Sequence, residues 1–230
     1  MRTDFYGSAG ASARVLARSW SVRRALTIAV ASVAVPGLVL TGQPLAALAG
    51  LTFAWLVTRH AGGRIRRARA GAGAESATST HFRFVRVEAV MFDLPVAPGD
   101  IDVVVLGPVA AAVEVKRASG KVRIRRDGSM AVGGRPIPGH PGRQAIAGAS
   151  RLSTQLGNGV WVDPVVCLTG MAGRPRVTEI CGQSVVVCAP RHLSRVLKRL
   201  PRRLERGDGR MLAAQLARNS DTSLRARGRV

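Results

Sequence analysis

Two carboxylates and one lysine stand at a spacing that a single β-hairpin would gather. Asp100 to Leu106 (DIDVVVL) and Ala110 to Arg117 (AAAVEVKR) read as short Val-rich strands, with Gly107-Pro108 as the turn between them. A turn centred near residue 108 sets Asp102 opposite Glu114. Strand side chains alternate, so Glu114 and Lys116 project together, while Val113 and Val115 point with Val103 and Val105 toward a core. Clustered carboxylates repel one another and hold their protons to higher pH. A hard divalent cation, Mg²⁺ or Mn²⁺, relieves that repulsion and prefers oxygen ligands. Held by Asp102 and Glu114, it would polarise a phosphodiester and acidify a bound water. Lys116 would orient that water or stabilise charge developing on the phosphate. On spacing alone, the plainer alternative is a surface hairpin with an ordinary Glu–Lys pair, worth little. Lysine is not the default base here, however: the chain has three lysines, at 116, 121 and 198, against 32 arginines.

Elements before and after this hairpin must position it. Phe82 to Leu94 alternates as a strand closed by Pro95, Pro98 and Gly99, and Lys121 to Arg126 with Ser129 to Val132 reads as a further hairpin around Asp127-Gly128. A Gly/Pro loop then leads into a helix-patterned stretch, Arg143 to Leu156. Strands follow at Val160 to Leu168 and Ser184 to Cys188, then a helix from about Arg191 to Leu200. The fold class is α/β.

The front of the chain has a different character. No charged residue occurs between Arg24 and Arg59. That interval is too long for one membrane span and just long enough for two short ones, turned at Thr41 to Pro44. Arginines flank it on both sides, and Trp20 and Trp55 lie near its ends. The expectation is a two-helix transmembrane hairpin at 25–58, with both termini and the following domain cytoplasmic at the cell membrane. A buried soluble helical hairpin is the alternative. The organisation expected is a basic N-terminal segment (1–24), the hairpin (25–58), a basic linker (59–72), a domain (73–200) and a basic tail (201–230).

Other chemistry is poorly supported. Cysteines 167, 181 and 188 form neither a disulfide framework nor a C-x-x-C zinc pair. Histidines 60, 81, 140 and 192 lack ligand spacing, Ser153 and Thr154 lack triad partners, and the Gly-rich steps lack the Lys-Ser/Thr of a phosphate loop. The net charge of +22 serves nucleic acid, lipid or membrane topology equally well. Residues 72–189 carry only +4 of it. Within them, residues 116 to 151 hold nine basic residues against Asp127 alone. This run is either a solvated face or a track for a phosphate backbone, the latter making DNA the expected partner.

The stretch Ile-Asp-Val-Val-Val-Leu-Gly-Pro at 101–108, Val-Glu-Val-Lys at 113–116 and Ser-Gly-Lys-Val at 119–122 resembles the nuclease-related domain (NERD) family of the PD-(D/E)xK restriction-endonuclease-like superfamily. Gly73-Ala-Glu75 resembles the element that opens that family's first helix, and Pro141-Gly-Arg-Gln144 its P-x-x-Q step. The resemblance covers roughly residues 70 to 200. It implies an αβββαβ core and a metal-dependent nuclease site of Asp102, Glu114 and Lys116. Glu75 would be an additional acid, and Gln144 a polar residue facing the site or the nucleic acid. The segment Val-Ala-Ala-Ala-Val at 109–113 departs from the family's bulkier, Gly- and aromatic-containing pattern. Lys121, Arg123, Arg125, Arg126 and Arg143 are the expected DNA contacts. The function expected is a membrane-anchored Mg²⁺-dependent nuclease. The rival is a non-catalytic, membrane-tethered nucleic-acid-binding protein with the same fold.

Overall fold

A computed structural model describes residues 3–82, 85, 87–96, 99–125, 127–157 and 159–227. The chain divides into two units, residues 11–72 and, separately, the residues up to Gly10 together with those from Gly73 onward.

The first unit is helical. The helix α1 spans Ala11–Leu40, and α2, Pro44–Phe82, begins in this unit and continues past it. Gly42 closes α1 in the left-handed conformation, and the Gln43 N–H reaches back to the Leu38 carbonyl at 2.9 Å. Pro44, which cannot donate, opens α2. The expected break at Thr41 to Pro44 is therefore present. The hydroxyls of Thr27, Ser32 and Thr52 bond back to carbonyls one turn earlier, so these polar side chains are satisfied within their own helices. Arg23 and Arg64 stack on Trp20, and Arg59 on Trp55, at 5.0 to 5.2 Å.

One helix among the described residues, Ala13–Leu40, is long and apolar enough to cross a membrane, with a mean hydropathy of 1.5. The second expected span falls short because Arg59 ends the apolar part of α2 only four turns after Pro44. The expected basic linker at 59–72 is also corrected: it is helix, part of α2. Its glycines are outvoted by alanine and arginine, both good helix formers.

The second unit is built on a mixed seven-stranded sheet. Its strands are β1 Asp4–Tyr6, β2 Ala89–Val96, β3 Gly99–Leu106, β4 Ala110–Gly120, β8 Asp163–Met171, β9 Arg176–Ile180 and β10 Gln183–Cys188. Their spatial order is β1-β2-β3-β4-β8-β10-β9. Between β4 and β8 lie a small sheet (β5 Val122–Ile124, β6 Met130–Val132, β7 Arg135–Pro136) and the helix α3, Pro141–Leu156. Strands β4 and β8 run parallel, and α3 makes the crossover that such a pair requires. After β10 come a short 3₁₀ turn, α4 (Leu193–Arg199) and α5 (Asp208–Arg227). The end of α2, β2–β4, α3 and β8 give the order αβββαβ around a central mixed sheet, consistent with a nuclease fold.

The sheet buries both faces. One packs Val103, Val105, Val113 and Val115 with Phe82, Leu193 and Leu197. The other packs Val104, Leu106 and Ala112 with Leu152 of α3 and with Ala213 and Leu216 of α5. Three sequence expectations change here. Phe82 ends α2 rather than starting a strand, the first central strand begins at Ala89, and residues 83, 84 and 86 lie outside the described residues. The supposed basic tail contains a 20-residue helix that completes the core, so the unit does not stop at residue 200. Arg151, part of the basic run, bonds the carbonyls of Val96 and Ala147 and serves structure.

Glu88, only 2 % exposed, anchors the approach to α5 by accepting the Gly207 N–H at 2.8 Å. Leu216→Ala is expected to lower unfolding free energy by about 2–4 kcal/mol, the cost of a cavity at a buried leucine. Denaturant unfolding checks this. A change under about 0.5 kcal/mol would mean that α5 does not belong to the core.

Candidate active site

The site begins with a fault in the sheet. Along β2, Ala89 and Met91 point to the α3 face and Val90 and Phe92 to the opposite one. Leu94 and Val96 then return to the α3 face, one residue out of step. The slip falls on Asp93, which takes φ +52°, a left-handed conformation rare for residues other than glycine. Strand β3 slips at the same level: Val104 and Leu106 face α3, yet so does Ile101, so alternation breaks at Asp102. The pairs Phe92–Val103 and Leu94–Ile101 bracket this step. Asp93 and Asp102 thus occupy one rung at which the regular pleat is interrupted.

On the other side of β3, Val103 pairs with Val113 and Val104 with Ala112, the register that sets Asp102 beside Glu114, as expected from the turn. The β3–β4 ladder stops there. Asp102 Oδ2 accepts the next free donor, the Val115 N–H, at 2.7 Å. Glu114 is 8 % exposed, and its Oε1 meets Lys116 Nζ at 2.5 Å. Gln144, in the first turn of α3, adds a third polar contact. With its amide oriented to suit the surrounding acceptors, it donates to Glu114 Oε1 (3.1 Å) and to the Gly139 carbonyl (3.0 Å). The left-handed His140 and Pro141 at the helix start bring Gln144 to this point.

Glu75 comes from α2. It is buried, and its Oε2 has no hydrogen-bond partner. Burial, reinforced by the charges of Asp102 and Asp93, raises its pKa from 4.5 to about 8. Burial likewise lifts Asp102 from 3.8 to about 7, with Glu114 adding to the rise and Lys116 and the Val115 N–H opposing it. Burial works against the charge on Lys116, but Glu114, Asp102 and Glu75 outweigh it and hold the amine above the usual lysine value. The lysine is therefore an ammonium ion, a donor rather than a base.

The structure thus brings together Asp102, Glu114, Lys116, Gln144 and Glu75. It adds Asp93, which sequence reasoning missed. The signal was available as a lone acid inside the apolar strand Met-Phe-Asp-Leu. The five expected DNA contacts fare differently. Lys121, Arg123 and Arg125 are exposed on the β5 arm. Arg143 is exposed beside Gln144 and donates to the Asp127 carbonyl at 2.6 Å. Arg126 lies outside the described residues. Cys167 and Cys188 are buried in the core, as expected of small apolar side chains.

The cluster suits a divalent cation. Its carboxylates already carry a penalty for charge, and Glu75 offers a buried oxygen without a partner. Among the described residues, no group of three or more His, Cys, Asp or Glu forms a complete metal cage. Asp102 and Glu114 are the adjacent pair that could hold such an ion, and Mg²⁺ keeps several of its waters.

Residues 70–169 match the family model described as nuclease-related domain, NERD. Over that segment the chain is similar to the nuclease-related domain family. No curated protein and no solved structure matches the chain. The NERD segment contains Glu75, Asp93, Asp102, Glu114, Lys116 and Gln144, and ends within β8. Strands β9 and β10 and helices α4 and α5 lie beyond it.

The raised carboxylates fix the sign of a pH effect. Both bind protons more tightly in the folded chain than in the unfolded one, so the stability that these two groups contribute without metal is fully present below about pH 4 and is lost as pH rises toward 8. In EDTA, Asp102→Asn should melt several degrees above the wild type at pH 8 and close to it at pH 5, as followed by circular dichroism. A difference that does not grow with pH would contradict the assigned repulsion.

Proposed function

We propose that this protein is a membrane-anchored, metal-dependent nuclease that hydrolyses DNA phosphodiester bonds at Asp102, Glu114 and Lys116. The observation that carries the reading is the Asp102–Glu114–Lys116 constellation, gathered around the buried Glu114 at the interrupted rung of a NERD-like sheet. Asp102 and Glu114 would hold Mg²⁺ or Mn²⁺. Such an ion, when bound, polarises a phosphodiester and lowers the pKa of a coordinated water.

The chain's own groups do the rest. The Val115 N–H fixes one oxygen of Asp102, leaving Oδ1 for a ligand. Gln144 and Lys116 both hold Glu114 Oε1, which orients that carboxylate. Lys116 keeps its proton on Nζ and so supplies positive charge where a phosphate accumulates negative charge. Glu75, protonated at neutral pH, can hold a proton at its buried carboxyl without adding to the negative charge of the site. Lys121, Arg123, Arg125 and Arg143 would grip the phosphate backbone next to the site, giving binding that weakens with salt.

Membrane attachment rests on the exposed apolar side chains of α1, including Leu26, Val30 and Val33, over a helix long enough to span a bilayer.

Purified full-length protein in detergent should cleave duplex DNA with Mg²⁺. Lys116→Ala and Glu114→Gln should each slow cleavage by about 100-fold or more, the scale of losing a key charged group at a reacting centre. Equal cleavage by all three proteins would reject the site. Salt-sensitive DNA binding without metal-dependent cleavage, unaffected by Glu114→Gln, would instead identify a non-catalytic tether.

A further inference from the structure

A second concave site lies away from the acidic cluster. A cavity of about 730 Å³ opens beside the start of β8, bounded by β9, β10 and α4. Its volume is that of a small-molecule site. Three separate stretches of chain send four arginines into its lining: Arg174 before β9, Arg195 and Arg199 on α4, and Arg203 beyond it. Among the described residues, only Arg203 has a carboxylate partner, Asp163 at 3.6 Å. Arg174, Arg195 and Arg199 have none, so this wall of the cavity carries uncompensated positive charge.

Trp161 supplies the second element. It is the only tryptophan after residue 72, it lines the cavity, and it is 49 % exposed. Large exposed indoles are unusual on a free surface and suit stacking. Trp161 lies near enough to Asp163 to favour that carboxylate's charged form, while much of the ring stays uncovered. One aromatic plate and three guanidinium groups without a carboxylate partner in one cavity match two parts of a nucleotide, base and phosphate.

This site is separate from the acidic cluster. Asp163 pairs with Ala111 at the beginning of the β4–β8 ladder, whereas Glu114 and Lys116 lie three and five residues further along it. Most of the lining also falls outside the NERD segment, which ends at residue 169.

We propose that this cavity binds a nucleotide, its base against Trp161 and its phosphates on Arg174, Arg195 and Arg199. The ligand is either a free nucleotide or one nucleotide of a strand. The binding does not require the acidic cluster to be catalytic.

The test uses full-length protein in EDTA, with a fluorescent ADP analogue followed by anisotropy. Unlabelled ADP, a 5′-phosphorylated five-residue deoxythymidine strand and pyrophosphate serve as competitors. Trp161→Ala and the double variant Arg195→Ala/Arg199→Ala should each weaken binding by about 10-fold or more. Asp102→Asn should leave it unchanged. Melting curves should show that the variants remain folded, since the altered side chains are exposed. Competition by ADP alone assigns the cavity to free nucleotides, and competition by the oligonucleotide assigns it to a strand. Binding unaffected by both sets of variants, or absent altogether, overturns the proposal. So does displacement by pyrophosphate with no contribution from Trp161, which would leave only an anion site.

Discussion

Negative charge packed where water is scarce governs the NERD domain. Asp93, Asp102 and Glu114 lie along one rung of the sheet, Glu75 of α2 acts on Asp93 and Asp102, and Lys116 is the cation that faces them. Such a group is unfavourable to assemble, because burial and repulsion both penalise its charges. The chain lowers the penalty in three ways. A backbone N–H is turned onto Asp102, an ammonium ion onto Glu114, and two carboxyls hold their protons toward neutral pH. The interrupted pleat at Asp93 and Asp102 follows from the same requirement. Regular alternation would send these side chains into an apolar face, and the slip releases them while keeping Leu94 and Ile101 in the core.

Much of this can be read from the residues. The turn at Gly107-Pro108 dictates the pairing of β3 with β4, so the juxtaposition of Asp102 and Glu114 follows from period-two alternation alone. Gln144 and Glu75 could be named only through the family resemblance, because nothing in their spacing links them to a hairpin 30 residues away. Asp93 escaped notice because a strict alternation rule cannot represent a residue at which alternation fails. The small sheet and helix between β4 and β8 were legible because turn residues delimit them sharply.

The ends of the chain were harder to read, for a common reason. Residues 59–72 are rich in arginine, glycine and alanine and residues 208–227 in arginine and alanine, which resemble linker and tail by composition. Both are helical in the fold. In α5 the apolar residues are few, but Ala213 and Leu216 sit three apart and meet a sheet face that needs cover. Charge shows the same lesson. Most of the +22 lies at the two ends of the chain rather than around the acidic cluster, so the total says little about DNA. Its local distribution says more: an exposed basic arm near Gln144, and a separate arginine-lined cavity beside Trp161.

The central claim is that Asp102 and Glu114 form one divalent-cation site. It can be tested without any assay of cleavage, by counting bound Mn²⁺ through electron paramagnetic resonance on the full-length protein. Wild type should bind an ion that the double variant Asp102→Asn/Glu114→Gln lacks, and added Mg²⁺ should displace it. Equal Mn²⁺ binding by wild type and the double variant would contradict the claim.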